Sequence, residues 1–385
     1  MVPRYGEGIV GGAETLTRGL AEHLAATGAD VEVLTTCARN HVTWRNDLAS
    51  GLTRDGRVAV RRFPVVPRDE RVFGRLQQRI LRRERLDRAD QLRWAEESVS
   101  SPGLYAHLAE RRETYDLVCF APYLFGVTLQ GIRTVPERAV LIPCLHDEPF
   151  AYLDVVRESF EACRGFIFNS APEAELARKL YGVADRPWAV VGLGFDPPPA
   201  ADPDGFRQRH RLAGPLLVYL GRKETGKNVP LLLEYGRRYR QTHNRDLTLV
   251  LAGDGPITAP RRAEGVRDLG YLGVADKGQA YAAATVVCQP SLNESFSIVL
   301  MEAWLRGTPV LVHARCAVTA HHVLQANGGL VFGDFYEFAE TLDRLLEDPG
   351  LRAKLGAQGR AYVESEYAWP AVTARLCGIL ERLRA

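Results

Sequence analysis

A chain of 385 residues with 46% hydrophobic and 25% charged side chains suits two ordinary globular domains, each large enough to bury a core. Its formal net charge of +2 is too small for a dedicated nucleic-acid binder, no apolar run reaches the roughly 18 residues of a membrane span, and the start at Met1 shows no apolar leader segment. The seven cysteines are scattered without a C-x-x-C pair, and Cys119, Cys144 and Cys288 lie in apolar strand-like runs. Such usage points to a reduced, cytoplasmic protein and away from a disulfide or zinc framework.

The chain opens on Tyr5-Gly6-Glu7-Gly8-Ile9-Val10-Gly11-Gly12-Ala13-Glu14, which formally contains G-x-G-x-x-G with Glu32 about twenty residues on. A dinucleotide fingerprint needs a buried strand directly before it, and only Met1-Val2-Pro3-Arg4-Tyr5 precede Gly6. The glycines read instead as a turn opening a helix over 14–27, able to bring backbone amides up to a phosphate or sugar, or as a plain strand-to-helix turn. A doubly wound sheet places its first strand centrally. The expectation is therefore either an upstream start encoding a few more apolar residues, or a first domain gapped at its centre.

From there, short β-branched runs at 31–35, 58–63, 117–120, 140–143, 166–168 and 190–191 alternate with helical patterns such as 173–180. The alternation continues through strands at 216–220, 247–252, 286–288, 310–312 and 330–332 and helices at 229–238 and 335–346. This pattern predicts α/β architecture, with parallel sheets covered by helices on both faces. Gly192-Leu193-Gly194-Phe195-Asp196-Pro197-Pro198-Pro199 reads as an interdomain hinge. The expected division is a first domain at 1–193, a second at 194–368, and a last helix at 369–385 returning toward the first domain. Two doubly wound, Rossmann-like domains facing across a cleft is the expected arrangement.

Residues 71–97 hold eight arginines interleaved with Phe73, Leu76, Ile80, Leu81, Leu86, Leu92 and Trp94. This is either a solvated helix of paired Arg and Glu/Asp, or a basic amphipathic surface for anionic lipid or a polyanionic acceptor, which would make the protein peripheral at the inner face of a membrane. Next, Leu141-Ile142-Pro143-Cys144-Leu145-His146-Asp147 sets His146 just past a strand end, where ligands of parallel sheets bind, although a lone histidine is often structural. Gly221-Arg222-Lys223-Glu224-Thr225-Gly226-Lys227 places Arg222 and Lys227 beyond another strand end, suited to a diphosphate or to a merely basic surface loop. The turn Ala252-Gly253-Asp254-Gly255-Pro256 is explained by structure alone; in Leu269-Gly270-Tyr271-Leu272-Gly273 a ring or backbone could meet a base.

The most informative stretch is Pro290-Ser291-Leu292-Asn293-Glu294-Ser295-Phe296-Ser297-Ile298-Val299-Leu300-Met301-Glu302. It follows an apolar strand and is expected to open a helix at Phe296, Ser297 and Ile298, whose amides would face phosphate. Glu294 and Glu302 would flank that mouth about 12 Å apart at helical rise, a reach that spans a sugar, a diphosphate and a ribose. The bland alternative is an amphipathic helix with two solvent-facing glutamates.

Taken in order, G-G-A-E at 11–14, His146-Asp147, G-R-x-x-x-x-K at 221–227, A-G-D-G-P at 252–256, E-x7-E from Glu294 to Glu302 and G-T-P-V at 307–310 resemble a GT-B glycosyltransferase of the retaining family-4 group over nearly the whole chain. The resemblance implies hexose transfer from a nucleotide-diphosphate sugar to an acceptor hydroxyl, without bound metal or other cofactor, so that activity survives EDTA. It implies that Arg222 and Lys227 hold the diphosphate, Glu302 the ribose and Glu294 the transferred sugar. Ser295, Phe296, Ser297 and Ile298 would line the phosphates, Tyr271 and Leu272 the base, and Gly11, Gly12 and His146 the sugar from the other domain. Three departures stand out: Glu294-Ser295-Phe296-Ser297 replaces the usual E-G-F-G, Cys316-Ala317-Val318-Thr319-Ala320-His321-His322 replaces a glycine-rich stretch with a glutamate, and the first strand is short. A nucleotide-sugar epimerase on the same fold and a catalytically silent sugar-nucleotide binder are the alternatives; donor base, sugar and acceptor are not named by the sequence.

Overall fold

The computed structural model describes residues 1–9, 11–243, 245–258 and 265–384. The chain separates into two compact units, one of Met1–Gly194 with Trp369–Ala385 and one of Phe195–Ala368.

In the first unit α1 (Gly12–Ala26) leads to β1 (Glu32–Thr36), β2 (Gly51–Asp55) and β3 (Val58–Phe63). β3 pairs in parallel with β1, and β2 adds antiparallel at the edge. β2 is almost wholly exposed; without a buried face its sequence shows no apolar alternation, which is why the sequence gives no sign of it. Then come α2 (Glu70–Leu81), α3 (Arg88–Ser98), α4 (Pro102–Arg111), β4 (Val118–Phe120), α5 (Gly126–Thr134), β5 (Ala139–Leu141), α6 (Asp154–Ala162), β6 (Gly165–Phe168), α7 (Ala171–Tyr181) and β7 (Trp188–Val190). β4 to β7 form a parallel sheet in chain order. Cys144 lies beyond β5, in a loop with φ 51°, not in the strand as its apolar surroundings suggest.

The expected gap at the centre of this unit is not there. Residues 1–3 run between β1 and β4 and bond to both. Val2 N–H donates to Leu34 O at 3.1 Å and Thr36 N–H to Pro3 O at 3.3 Å on one side, while Ala121 N–H donates to Met1 O at 3.0 Å on the other. Val2 is fully buried. Residues 1–3 thus join the two sheets, with backbone groups satisfied along both edges.

The arginine-rich segment forms α2 and α3. Leu76, Ile80, Leu86 and Trp94 belong to the core, and Arg79, Arg88 and Arg93 are ion-paired to Asp90, Glu158 and Glu97. Its apolar side thus faces inward; of the interleaved apolar residues, Leu81 is the one that stands out as exposed. No helix among the described residues is long and apolar enough to cross a membrane.

The second unit runs α8 (Pro203–His210), β8 (Leu216–Leu220), α9 (Val229–His243), β9 (Thr248–Ala252), β10 (Val266–Asp268), α10 (Val274–Ala283), β11 (Val286–Gln289), α11 (Ile298–Leu305), β12 (Val310–His313), α12 (Ala317–Ala326), β13 (Gly329–Phe332), α13 (Phe335–Glu347) and α14 (Pro349–Glu366). Its strands are all parallel in the order β10-β9-β8-β11-β12-β13. β8 and β11 are buried along their whole length, as strands covered on both faces must be. The winding direction reverses between β8 and β11, and in such sheets ligands bind beyond the carboxyl ends of the strands at the reversal. The chain then returns to the first unit as α15 (Trp369–Arg384), which buries Val372, Leu376, Ile379 and Leu383 and stacks Trp369 on His23 of α1 at 3.6 Å.

Candidate active site

The loops that leave β8 and β11 carry the residues that matter most. After β8, Gly221 starts a turn that ends in a short 3-10 segment at Thr225–Lys227 and in Asn228, whose left-handed backbone (φ 57°) redirects the chain into α9. The Asn228 amide donates to Pro290 O at 3.1 Å, tying this loop to the one after β11. The turn is fixed from the other side by the loop after β9: Gly221 N–H donates to Ala252 O at 2.9 Å and Lys223 N–H to Asp254 O at 2.6 Å. Lys223 itself is buried against Asp268 at 2.5 Å and is structural.

Lys227 Nζ lies 2.8 Å from Glu294 Oε1, with side-chain exposures of 23% and 10%. Gln289 Nε2 donates to the same oxygen at 3.2 Å. The two loops therefore bring an expected phosphate cation and an expected sugar carboxylate into direct contact. Arg222 is placed differently: its side chain is 60% exposed and pairs with Glu224 at 3.1 Å. Around the β11 loop, Gln289 Oε1, Ser291 Oγ and Ser297 Oγ are buried without a hydrogen-bond partner. Buried polar atoms are nearly always paired, so these three, at the end of β11 and on the loop after it, leave hydrogen-bonding capacity open there.

The helix after this loop begins later than expected. α11 starts at Ile298, with Ser297 as its cap residue. Its mouth therefore presents Ile298 and Val299, and Phe296 is not part of it. The side chain of Phe296 is buried in an aromatic group, 5.0 Å from the Tyr367 ring and 5.4 Å from His322. Because 294–297 is not helical, the separation of Glu294 and Glu302 does not follow from helical rise over eight residues. His322 donates or accepts at Tyr362 OH through Nδ1 at 3.0 Å, and burial depresses its pKa to about 3, so this histidine is neutral.

Ser297 adopts φ 72°, ψ 78°, a region where an L side chain crowds the following carbonyl at a cost of about 1–2 kcal/mol. Ser297→Gly is expected to stabilise the chain by roughly 1 kcal/mol, the strain relief exceeding the extra unfolded-state entropy of glycine. Urea denaturation checks this; a lower midpoint for the variant would show that the serine is retained for packing.

Glu302, four residues into α11, accepts from Lys277 Nζ at 2.9 Å through Oε1 and from Tyr281 OH at 2.7 Å through Oε2. The loop before α10 leaves Tyr271 59% exposed and Leu272 buried, and is tied to the β9 loop by Gly253 N–H to Gly270 O at 2.7 Å.

In the first unit Gly11 is the cap of α1, in extended backbone, and a Cβ there would come within 2.1 Å of Glu14 Oε2. A Cβ on Gly12 would meet nothing within 4 Å. Val10 lies outside the described residues. His146 follows β5; its Nδ1 is 3.7 Å from Glu148 Oε1, which accepts from the buried Tyr123 OH at 2.8 Å. The loop is braced from below by Glu173, whose two oxygens accept Leu145 N–H at 2.6 Å and Asn169 N–H at 2.5 Å. Burial pushes the Glu173 carboxyl up to about 8, against these bonds. Sequence reasoning missed Tyr123, Glu173, Lys277 and Tyr281 because each holds a residue more than 20 positions away. It missed Glu148 and Gln289, which stand close to His146 and Glu294 in the chain, because they belong to no motif.

Residues 214–348 match the family described as Glycosyl transferases group 1. The chain is 28% identical to the D-inositol 3-phosphate glycosyltransferase of Frankia alni, over 98% of this chain and 95% of that protein. Among solved structures, sucrose-phosphate synthase from Thermosynechococcus elongatus superposes with TM-score 0.73 at 18% identity, covering 97% of this chain and 94% of the other. Anabaena HepE in complex with UDP-glucose gives 0.67 at 15% identity and 99% coverage of both. The chain is a glycosyltransferase of the GT-B fold whose residues 214–348 match the glycosyl transferases group 1 family.

Proposed function

We propose that this chain transfers a hexose from a nucleotide-diphosphate sugar to an acceptor hydroxyl, with retained anomeric configuration and without a metal ion. The observation that carries the proposal is the Lys227–Glu294 pair beside the three unpartnered polar atoms of Gln289, Ser291 and Ser297. A donor diphosphate entering here would take over Lys227, leaving Glu294 to accept from sugar hydroxyls. Arg222, Lys227 and the amides at the mouth of α11 would stabilise the charge that develops as the bond from the anomeric carbon to the phosphate oxygen breaks. The acceptor oxygen bonds to the same face of that carbon, and its proton passes to the departing phosphate oxygen. Glu302 takes the ribose hydroxyls and the backbone around Tyr271 and Leu272 the base. Ser295 and Phe296 shape the loop, and Ile298 contributes an amide. Gly11 and Gly12 are assigned to sugar contact and His146 to the reacting centre, the latter on its place past β5 and its neighbour Glu148.

The relatives support this reading: the Frankia alni protein is a D-inositol 3-phosphate glycosyltransferase, and one fold neighbour was solved with UDP-glucose. A thermal-shift panel of UDP-, GDP- and ADP-sugars should single out the donor, since a tight ligand raises apparent stability by mass action. Turnover of that donor should require an acceptor and persist in EDTA. Turnover without acceptor would favour the epimerase, absence of turnover the silent binder, and loss in EDTA restored by magnesium or manganese would overturn metal independence.

A further inference from the structure

We infer that α10 carries the positioning residues for ribose recognition, with Tyr281 the principal one and Lys277 its partner. The inference rests on the assignment of Glu302 to the ribose made above. Glu302 is held at both oxygens by this one helix: Lys277 Nζ reaches Oε1 at 2.9 Å and Tyr281 OH reaches Oε2 at 2.7 Å. A carboxylate has about four acceptor positions. One donor on each oxygen leaves one position free on each, and a vicinal diol needs two, one per hydroxyl.

The two donors differ in what they can do. Tyr281 is 1% exposed, and its backbone carbonyl accepts Thr308 Oγ1–H at 2.8 Å. Its ring cannot move away without opening the core, so it fixes the carboxylate plane. Burial and the adjacent carboxylate raise its pKa well above the usual value, so the hydroxyl is present as a donor at any physiological pH. Lys277 is a partly exposed side chain, 33% accessible beside a carboxylate that is 27% accessible. It contacts Glu302 on the accessible side of the carboxylate, where a ribose would approach. α10 also begins directly after the 269–273 loop, with Lys277 N–H bonded to Gly273 O at 2.9 Å. The helix thus ties the proposed base loop to the proposed ribose carboxylate as one rigid piece.

Calorimetric titration with UDP and GDP, each compared with its 2′,3′-dideoxy counterpart, tests this. For whichever nucleotide binds, wild-type protein should favour the ribonucleotide by at least about 30-fold, the scale of two lost hydrogen bonds to a charged group. Tyr281→Phe should reduce that ratio roughly tenfold while changing dideoxynucleotide affinity less than about twofold. Lys277→Met, a surface change that does not endanger folding, should narrow the ratio by about threefold. Equal weakening of ribo- and dideoxynucleotide in both variants, with the ratio kept, would show that α10 is merely structural and overturn the inference alone. A ratio unchanged in Glu302→Gln would instead remove the ribose assignment, and the inference with it.

Discussion

Lys227→Ala is expected to slow sugar transfer by about 10²–10³-fold in kcat/KM, the scale of losing one charge-stabilising donor. Two effects act in the same direction. The cation opposite the developing diphosphate charge is gone, and Glu294, only 10% exposed, loses the ammonium 2.8 Å away that balances it. A poorly solvated carboxylate that has lost this cation then repels the incoming polyanion. Arg222→Ala should do less, about 10–10²-fold, because this side chain is 60% exposed and already held by Glu224 at 3.1 Å. Steady-state kinetics with the donor found by thermal shift would decide the matter. Near-wild-type kcat/KM in the Lys227 variant would remove the diphosphate clamp, while an Arg222 effect larger than the Lys227 effect would reverse the roles given to the two residues.

The architecture is legible in the sequence where burial is symmetric. Leu216 to Leu220 can be read as a strand because all five residues are buried, and the 3.6-residue pattern of α13 is equally plain, with Phe335, Phe338, Ala339, Leu342 and Leu345 inside. Edge elements such as β2 and β10 leave no such trace. Lys227 and Glu294 can be picked out because each follows a strand and belongs to a recognisable motif. Their contact cannot, since it depends on the reversal of strand order between β8 and β11 that makes loops 67 residues apart neighbours. The start of α11 is misread for a local reason. Ser297 takes a left-handed conformation that propensity disfavours in a serine, and this delays the helix and turns Phe296 inward. Residues that act by holding others, such as Glu173 beneath the His146 loop and Tyr281 beneath Glu302, carry no motif at all. They become visible when distances are known.

The second large effect expected is structural. Gly253 sits at φ 131°, a region nearly closed to residues with a side chain, and a Cβ there would lie 2.0 Å from Gly221 O and 2.8 Å from Gly221 C. Both atoms are backbone, so no rotamer change relieves the contact. The loop after β8 or the loop after β9 must move, and both are pinned: Gly253 N–H donates to Gly270 O at 2.7 Å and Gly221 N–H to Ala252 O at 2.9 Å. Backbone strain of a few kcal/mol and the displacement of these bonds act together, so Gly253→Ala should destabilise the chain by about 4 kcal/mol. Gly270→Ala is the control. It has φ 65° and nothing within 4 Å of its Cβ position, so the cost there should be about 1 kcal/mol of left-handed strain alone. Because the displaced segment leads directly to Arg222 and Lys227, whatever Gly253→Ala protein remains folded should also bind the donor more weakly, whereas the Gly270 variant should keep its diphosphate contacts. Chemical denaturation and donor titration of the two variants separate these outcomes. If both lose about 1 kcal/mol, the loops after β8 and β9 are free to shift apart and the clamp is not held by their close approach.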